Sequence, residues 1–272
     1  MPTSNDKLRM VNLENPVLGQ VIYLLNFKEP QEKIRFTQGD AEVAFGAFGA
    51  GQSQQTNVQD NADPSFPRLI FVNEHKSIQI SQVAVQYHQG LLSDSRDIRT
   101  QIESIKTDIT AFHTQAMEYM RGDVALYGSI GVVATLNYAS SESIDFLNQY
   151  LYGKFISFKS SSPLASFQLT LGFKHGDFFV NLGASVFETR QIDLNGMPQV
   201  LPLSPLAVMS TVQRAKVLSK GIQFTIDIND RPRFSKDLEA VVEDPKELFS
   251  MLDDYVFVQL PSIVGERRHA TS

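Results

Sequence analysis

Residues 78–119 read IQISQVAVQYHQGLLSDSRDIRTQIESIKTDITAFHTQAMEY, and the period of the apolar positions changes partway along. Ile78, Ile80, Val83, Val85 and Tyr87 recur at alternate positions except for one slip between Ile80 and Val83, which reads as a return strand carrying a bulge. From Ile98 the residues Ile102, Ile105, Ile109, Phe112, Ala116 and Tyr119 follow at spacings of 4, 3, 4, 3, 4 and 3, the rhythm of one buried helix face. Ser93 or Asp94 is placed to cap this helix and Gly122 to stop it. A strand pair that feeds a long amphipathic helix points away from a doubly wound sheet, in which strand and helix alternate throughout.

Working outward, Val21-Ile22-Tyr23-Leu24-Leu25 lies between Pro16 and Pro30 and reads as a strand within 17–27. Residues 42–48 predict another strand. Residues 49–67, rich in Gly, Gln, Asn and Asp, predict a mobile loop because such a composition cannot offset the entropy of ordering. Leu69-Ile70-Phe71-Val72 and the turn Asn73-Glu74-His75-Lys76 complete the hairpin with the return strand. Residues 123–138 return to strand character. Ser140 and Ser141 then offer caps to a short helix that buries Ile144, Leu147 and Leu151 and ends at Gly153.

Phe167, Leu169, Leu171 and Phe173 alternate, His175-Gly176-Asp177 turns, and 179–187 runs back. Pro198, Pro202 and Pro205 make 196–210 an extended connection. Ile222, Phe224, Ile226 and Ile228 form one more amphipathic strand, and Asp244-Pro245-Lys246-Glu247 opens a last helix that buries Leu248, Leu252 and Tyr255. Residues 266–272 form a frayed polar tail. The expected fold is α+β: a mainly antiparallel twisted sheet with one long helix, one short helix and a C-terminal helix. No stretch reads as a free linker, so 1–272 is expected to form a single domain whose two half-sheets share helices.

Composition narrows the chemistry. With 272 residues the chain is long enough for a sizeable core, and with no cysteine it offers no disulfide, no thiolate metal ligand and no thiol nucleophile. Asp and Glu outnumber Lys and Arg by 30 to 24, and a net charge of -6 argues against nucleic acid as a partner. Neither a secretory signal nor a membrane span is legible, because the apolar stretch at 126–136 is short and broken by Gly128, Ser129 and Gly131. A cytoplasmic protein is expected.

His75, His88, His113, His175 and His269 show no ligand spacing, so no metal is predicted. His75 and His175 fall in turns and His113 on the polar side of the long helix, positions that read as surface. The serines at 160–162 lack a nucleophile elbow, and the glycines of 46–51 lack the ending of a phosphate-binding loop, so neither a catalytic residue nor a cofactor is predicted. Asp227, Asn229 and Asp230 are the ligand-binding candidates: carboxylates and an amide grouped at a strand end suit a cation or substrate hydroxyls. The alternative for Asp227 is a solvated strand face. Ile98, Ile102, Ile105, Ile109 and Phe112 form a stripe that serves either as core or as an interaction seam.

The segment from Asn15 to Phe27, Ile78-Gln79-Ile80-Ser81 before the long helix, Leu136-Asn137-Tyr138, and Phe224-Thr225-Ile226-Asp227-Ile228 before the last helix together resemble a sporadically distributed bacterial family of uncharacterised proteins. The resemblance implies a bacterial accessory protein that acts with the products of neighbouring genes. The expected function is a nonenzymatic binding or assembly component with a protein partner or a homo-oligomer. The alternative is an enzyme or small-ligand sensor with its pocket between the sheet and the long helix.

Overall fold

In the computed structural model the described residues are 11–46, 53–59, 61–91, 96–119, 127–158, 164–191, 215–231 and 244–265. The first half of the chain contains β1 (Val17–Phe27), a 3₁₀ turn (Ile34–Thr37) leading into α1 (Gln38–Phe45), the two-residue β2 (Gln54–Gln55), β3 (Pro67–Asn73), β4 (Lys76–Ser81), β5 (Ala84–Gly90) and α2 (Ile98–Tyr119). The second half contains β6 (Tyr127–Ala139), α3 (Ile144–Phe155), β7 (Gln168–His175), β8 (Phe178–Gln191), β9 (Lys216–Asn229) and α4 (Lys246–Asp254). A π turn (Tyr255–Gln259) then passes into α5 (Leu260–Val264). The strands form one nine-stranded sheet in the order β2-β3-β4-β5-β1-β6-β9-β8-β7. The fold is α+β with a large antiparallel sheet.

This order contains a repeat. Among the described residues, with β2 set aside, each half lays down a strand, a helix, three strands and a helix, and places those strands in the sheet as β3-β4-β5-β1 and β7-β8-β9-β6. The sheet therefore reads the same from either outer edge towards β1 and β6. Short connections make β3, β4 and β5 an antiparallel meander, and β5 then pairs with β1, Tyr87 opposite Tyr23.

The chain divides into two compact units, one drawn from residues 1–16, 137–170 and 183–224 and the other from 17–136, 171–182 and 225–272. In the larger unit, Ile102, Ile105, Ile109, Phe112 and Ala116 of α2 are fully buried together with Val21, Tyr23 and Leu25 of β1. Phe112 is the hub of this core. Its ring stacks on Phe45 at 5.7 Å, lies 5.4 Å from Tyr87 and meets Tyr23 edge-on at 6.1 Å. In the smaller unit, Phe167 stacks on Phe155 of α3, and its backbone N–H donates to Asn148 Oδ1 at 3.0 Å. Gly221 is obligatory there, because a Cβ at that position would sit 2.0 Å from the Tyr138 carbonyl oxygen.

Several expectations are corrected. Part of the strand expected at 42–48 is helical: Ala41 and Phe45, four residues apart on α1, are both fully buried, and Phe45 reaches Phe112. The slip between Ile80 and Val83 is a chain reversal rather than a bulge, so the expected return strand is two strands, β4 and β5. Ser81 Oγ makes the turn by accepting from the N–H groups of Val83 and Ala84 at 3.2 and 3.0 Å.

Helix ends also shift. Ser143 caps α3 by accepting from Phe146 N–H, ahead of Ser140 and Ser141, and Gly153 lies inside that helix. Asp97 caps α2 by accepting from Arg99 and Thr100 N–H, whereas Ser93, Asp94 and Gly122 lie outside the described residues. The last helix starts one residue later than expected, with Pro245 at its N-cap and Asp244 just ahead of it accepting from Lys246 N–H at 2.9 Å. Of the loop at 49–67, the described part contains β2, which pairs with Ile70 and Leu69 of β3. The proline-rich connection at 196–210 and the tail at 266–272 lie outside the described residues.

Candidate functional site

The carboxylate group at the end of β9 divides into two structural roles. Asp230 is 2% exposed, its Oδ1 accepts from Ile130 N–H at 2.7 Å, and its own N–H donates to Ile130 carbonyl oxygen at 3.1 Å. The aspartate thus closes the strand pairing where β9 ends. Asp227 is half-buried and accepts from Asn181 Nδ2 at 3.0 Å and Asn229 Nδ2 at 3.1 Å. Both of its oxygens are engaged by neighbouring amides, on a strand face that stays partly open to solvent. Among the described residues no group of three or more His, Asp or Glu is arranged to hold a metal ion.

The stripe of α2 is core. Ile102, Ile105, Ile109 and Phe112 have no accessible surface in the single chain, and Ile98 alone is half-exposed. These four have nothing left to offer an interaction seam. The same packing fills the place expected for a pocket: Tyr23, Phe45, Tyr87 and Phe112 close the space between α2 and the strands beneath it.

His113, expected on the surface, is 6% exposed, and its Nδ1 shares a 2.9 Å hydrogen bond with the Tyr23 hydroxyl. Burial holds the imidazole below its ordinary pKa, partly countered by Asp244, and burial drives the Tyr23 phenol well above its own. Both groups are neutral near pH 7, so the pair satisfies a buried polar contact without a buried charge. Apolar periodicity gave no sign of this, because a histidine next to a buried phenylalanine turns inward only when a partner waits there.

An open groove of about 690 Å³ lies between α2 and α4, lined by Lys106, Thr110, His113, Asp244, Lys246 and Phe249 among others. Its charges are matched internally. Lys106 Nζ lies 2.6 Å from Asp253 and 2.9 Å from Glu103; burial opposes its charge, but these two partners outweigh burial and raise its pKa. Lys246 pairs with Asp244 at 2.6 Å, and the hydroxyls of Thr107, Thr110 and Thr114 bond back to their own helix carbonyls.

The two outermost regions of the sheet offer the other candidate surfaces. At β3 the chain covers itself: β2 pairs along it, Thr56 N–H donates to Arg68 carbonyl oxygen at 3.0 Å, and Thr56 Oγ1 donates to Pro67 carbonyl oxygen at 2.6 Å. Arg68, fully buried, donates to the carbonyl oxygens of Phe66, Ala62 and Asp63. At β7 no described strand lies beyond. Leu169 and Leu171 are half-exposed, Phe173 is 40% exposed, and Phe179 at the start of β8 is 41% exposed. A further apolar pair, Phe36 and Val43, stands 82% and 85% exposed seven positions apart on the 3₁₀ turn and α1.

Among the described residues no helix is long and apolar enough to cross a membrane. The chain matches no protein-family model, no curated protein sequence and no solved structure.

Proposed function

We propose that this chain is a nonenzymatic binding or assembly component of a bacterial accessory system, working in the cytoplasm through protein–protein contacts. The observation that carries the reading is the outer strand β7, which has a partner on one side only among the described residues and exposes Phe173 beside half-exposed Leu169 and Leu171. A strand edge presents unpaired N–H and C=O groups, and apolar side chains on alternate positions give an added strand something to cover. The self-neutralised charges of the groove between α2 and α4 agree with a chain that does not use that groove to grip a charged substrate. The lack of cysteine and the net charge of -6 suit a reducing compartment and a protein partner better than a nucleic acid.

The test is quantitative capture from a bacterial host with wild-type protein and with the surface variants Phe173→Glu and Phe36→Asp. A stoichiometric protein retained by wild type and lost with either variant supports the reading. Copurification of a metabolite or metal ion in place of protein would replace it with the enzyme or sensor alternative.

A further inference from the structure

We propose that β7 pairs antiparallel with β7 of a second copy, so that the chain forms a homodimer with a continuous sheet across the contact. This rests on the reading that the chain acts through protein contacts, and it names the partner. Equivalent strands of the two halves, β3 and β7, form the outer parts of the repeat, and among the described residues a covering strand lies along β3 and none along β7. The first strands of the two halves, β1 and β6, already lie side by side, so joining equivalent strands edge to edge is how this molecule builds its own sheet.

The sequence of β7, QLTLGFKH, is self-complementary. An antiparallel pair about a two-fold axis centred on Leu171 places Leu171 opposite its own mate, Phe173 opposite Leu169 and Lys174 opposite Gln168. Apolar residues meet apolar residues on one face. On the other, the single lysine meets an amide, so no like charges are opposed. A contact of this length buries less than the ~1,200 Å² at the lower bound of standard interfaces, which predicts a dimer in the micromolar range rather than an obligate one.

The test is sedimentation velocity from about 2 to 200 μM, combined with single-cysteine crosslinking, which is clean because the chain has no cysteine of its own. Wild type should pass from monomer to dimer over that range and do so equally in 0.5 M salt, while Phe173→Glu should stay monomeric with an unchanged melting curve. Directly opposed residues of an antiparallel pair have Cα atoms roughly 4.5 to 5.5 Å apart, within disulfide reach. Leu171→Cys should therefore form a disulfide-linked dimer on mild oxidation. Phe173→Cys, whose mate is four residues out of register, should not. Wild type that stays monomeric at 200 μM, a dimer indifferent to Phe173→Glu, or equal crosslinking of the two cysteine variants would each overturn self-pairing. If wild type is monomeric but captures a stoichiometric host protein that Phe173→Glu loses, self-pairing fails while the binding function stands; if nothing is captured either, both fail.

Discussion

β3 and β7 hold the same place in the two repeats and are finished differently. β3 buries Arg68, Leu69 and Phe71, is paired along one side by β2 and along the other by β4, and has its flank tied down by the carbonyl bonds of Arg68. β7 leaves most of its residues exposed and its apolar face half-covered. The repeated order of elements accounts for the sheet, whereas the closing of an edge depends on what is inserted between those elements. In the first half the insertion between α1 and β3 supplies β2, and Gln55 Nε2 binds it back to Gln38 of α1 at 2.6 Å. The difference teaches that the repeat is a scaffold and that which surfaces stay open is set locally.

The sharpest way to break the comparison is to place the same charge in both regions. Ile105→Asp forces a carboxylate into the fully buried face of α2 and should cost at least about 4 kcal/mol, enough to abolish a cooperative melt, whereas Phe173→Asp should cost less than about 1 kcal/mol. Circular dichroism melts of the two variants decide it. Comparable damage at both sites would mean that β7 is as enclosed as α2.

Arg68→Ala should act on the closed edge alone. It removes a buried side chain and its bonds to three carbonyl oxygens, with an expected loss of about 2 to 3 kcal/mol in urea unfolding. Hydrogen exchange should speed up in residues 53–70 while β7 and β8 stay as in wild type.

The carboxylates at the end of β9 sharpen the contrast between closed and open positions on a single strand. Asp230→Ala leaves the Ile130 N–H buried without that acceptor and should cost about 2 kcal/mol. Asp227→Ala removes two amide bonds, from half-buried Asn181 and buried Asn229, and should cost about 1 kcal/mol. Chemical denaturation of both variants tests the order; a reversed order would return Asp227 to consideration as a ligand-binding group.

The smallest expected effect is on pH dependence. Burial holds His88 and His113 below the ordinary histidine value of about 6.5, so between that pH and their folded values the unfolded chain binds protons that the folded chain refuses. Stability is therefore full above pH 6.5 and falls as the pH drops through that window. His113→Gln should flatten the fall in urea midpoint between pH 7.5 and 5.5.

Much of the fold was legible because it rests on local periodicity. The alternation in β9 and the seven-residue rhythm of α2 each define a buried face without reference to the rest of the chain. Residues 42–48 misled because a short segment with apolar residues at close intervals fits either period, and Phe45 chooses helix only when Phe112 and Phe71 are there to receive it. The reversal at Ser81 was hidden for a similar reason: one side-chain oxygen accepting two backbone N–H groups turns the chain without glycine or proline. Of the candidate site, the residues were visible but their partners were not. Asp230 and Ile130 are 100 positions apart, and nothing near either one announces the bond.

By itself the sequence determined the class of fold, most of the strands, the buried face of the long helix and the absence of cysteine chemistry, because these depend on composition and on periods of two and 3.6 residues. The tertiary structure alone decided that the described elements of the two halves repeat one order, that His113 and Asp230 turn inward, that the stripe of α2 is spent on the core, and that β3 has a covering strand where β7 has none among the described residues. Each of these depends on which distant segment arrives to bury a surface or satisfy a hydrogen bond, and that information resides in no single stretch of chain.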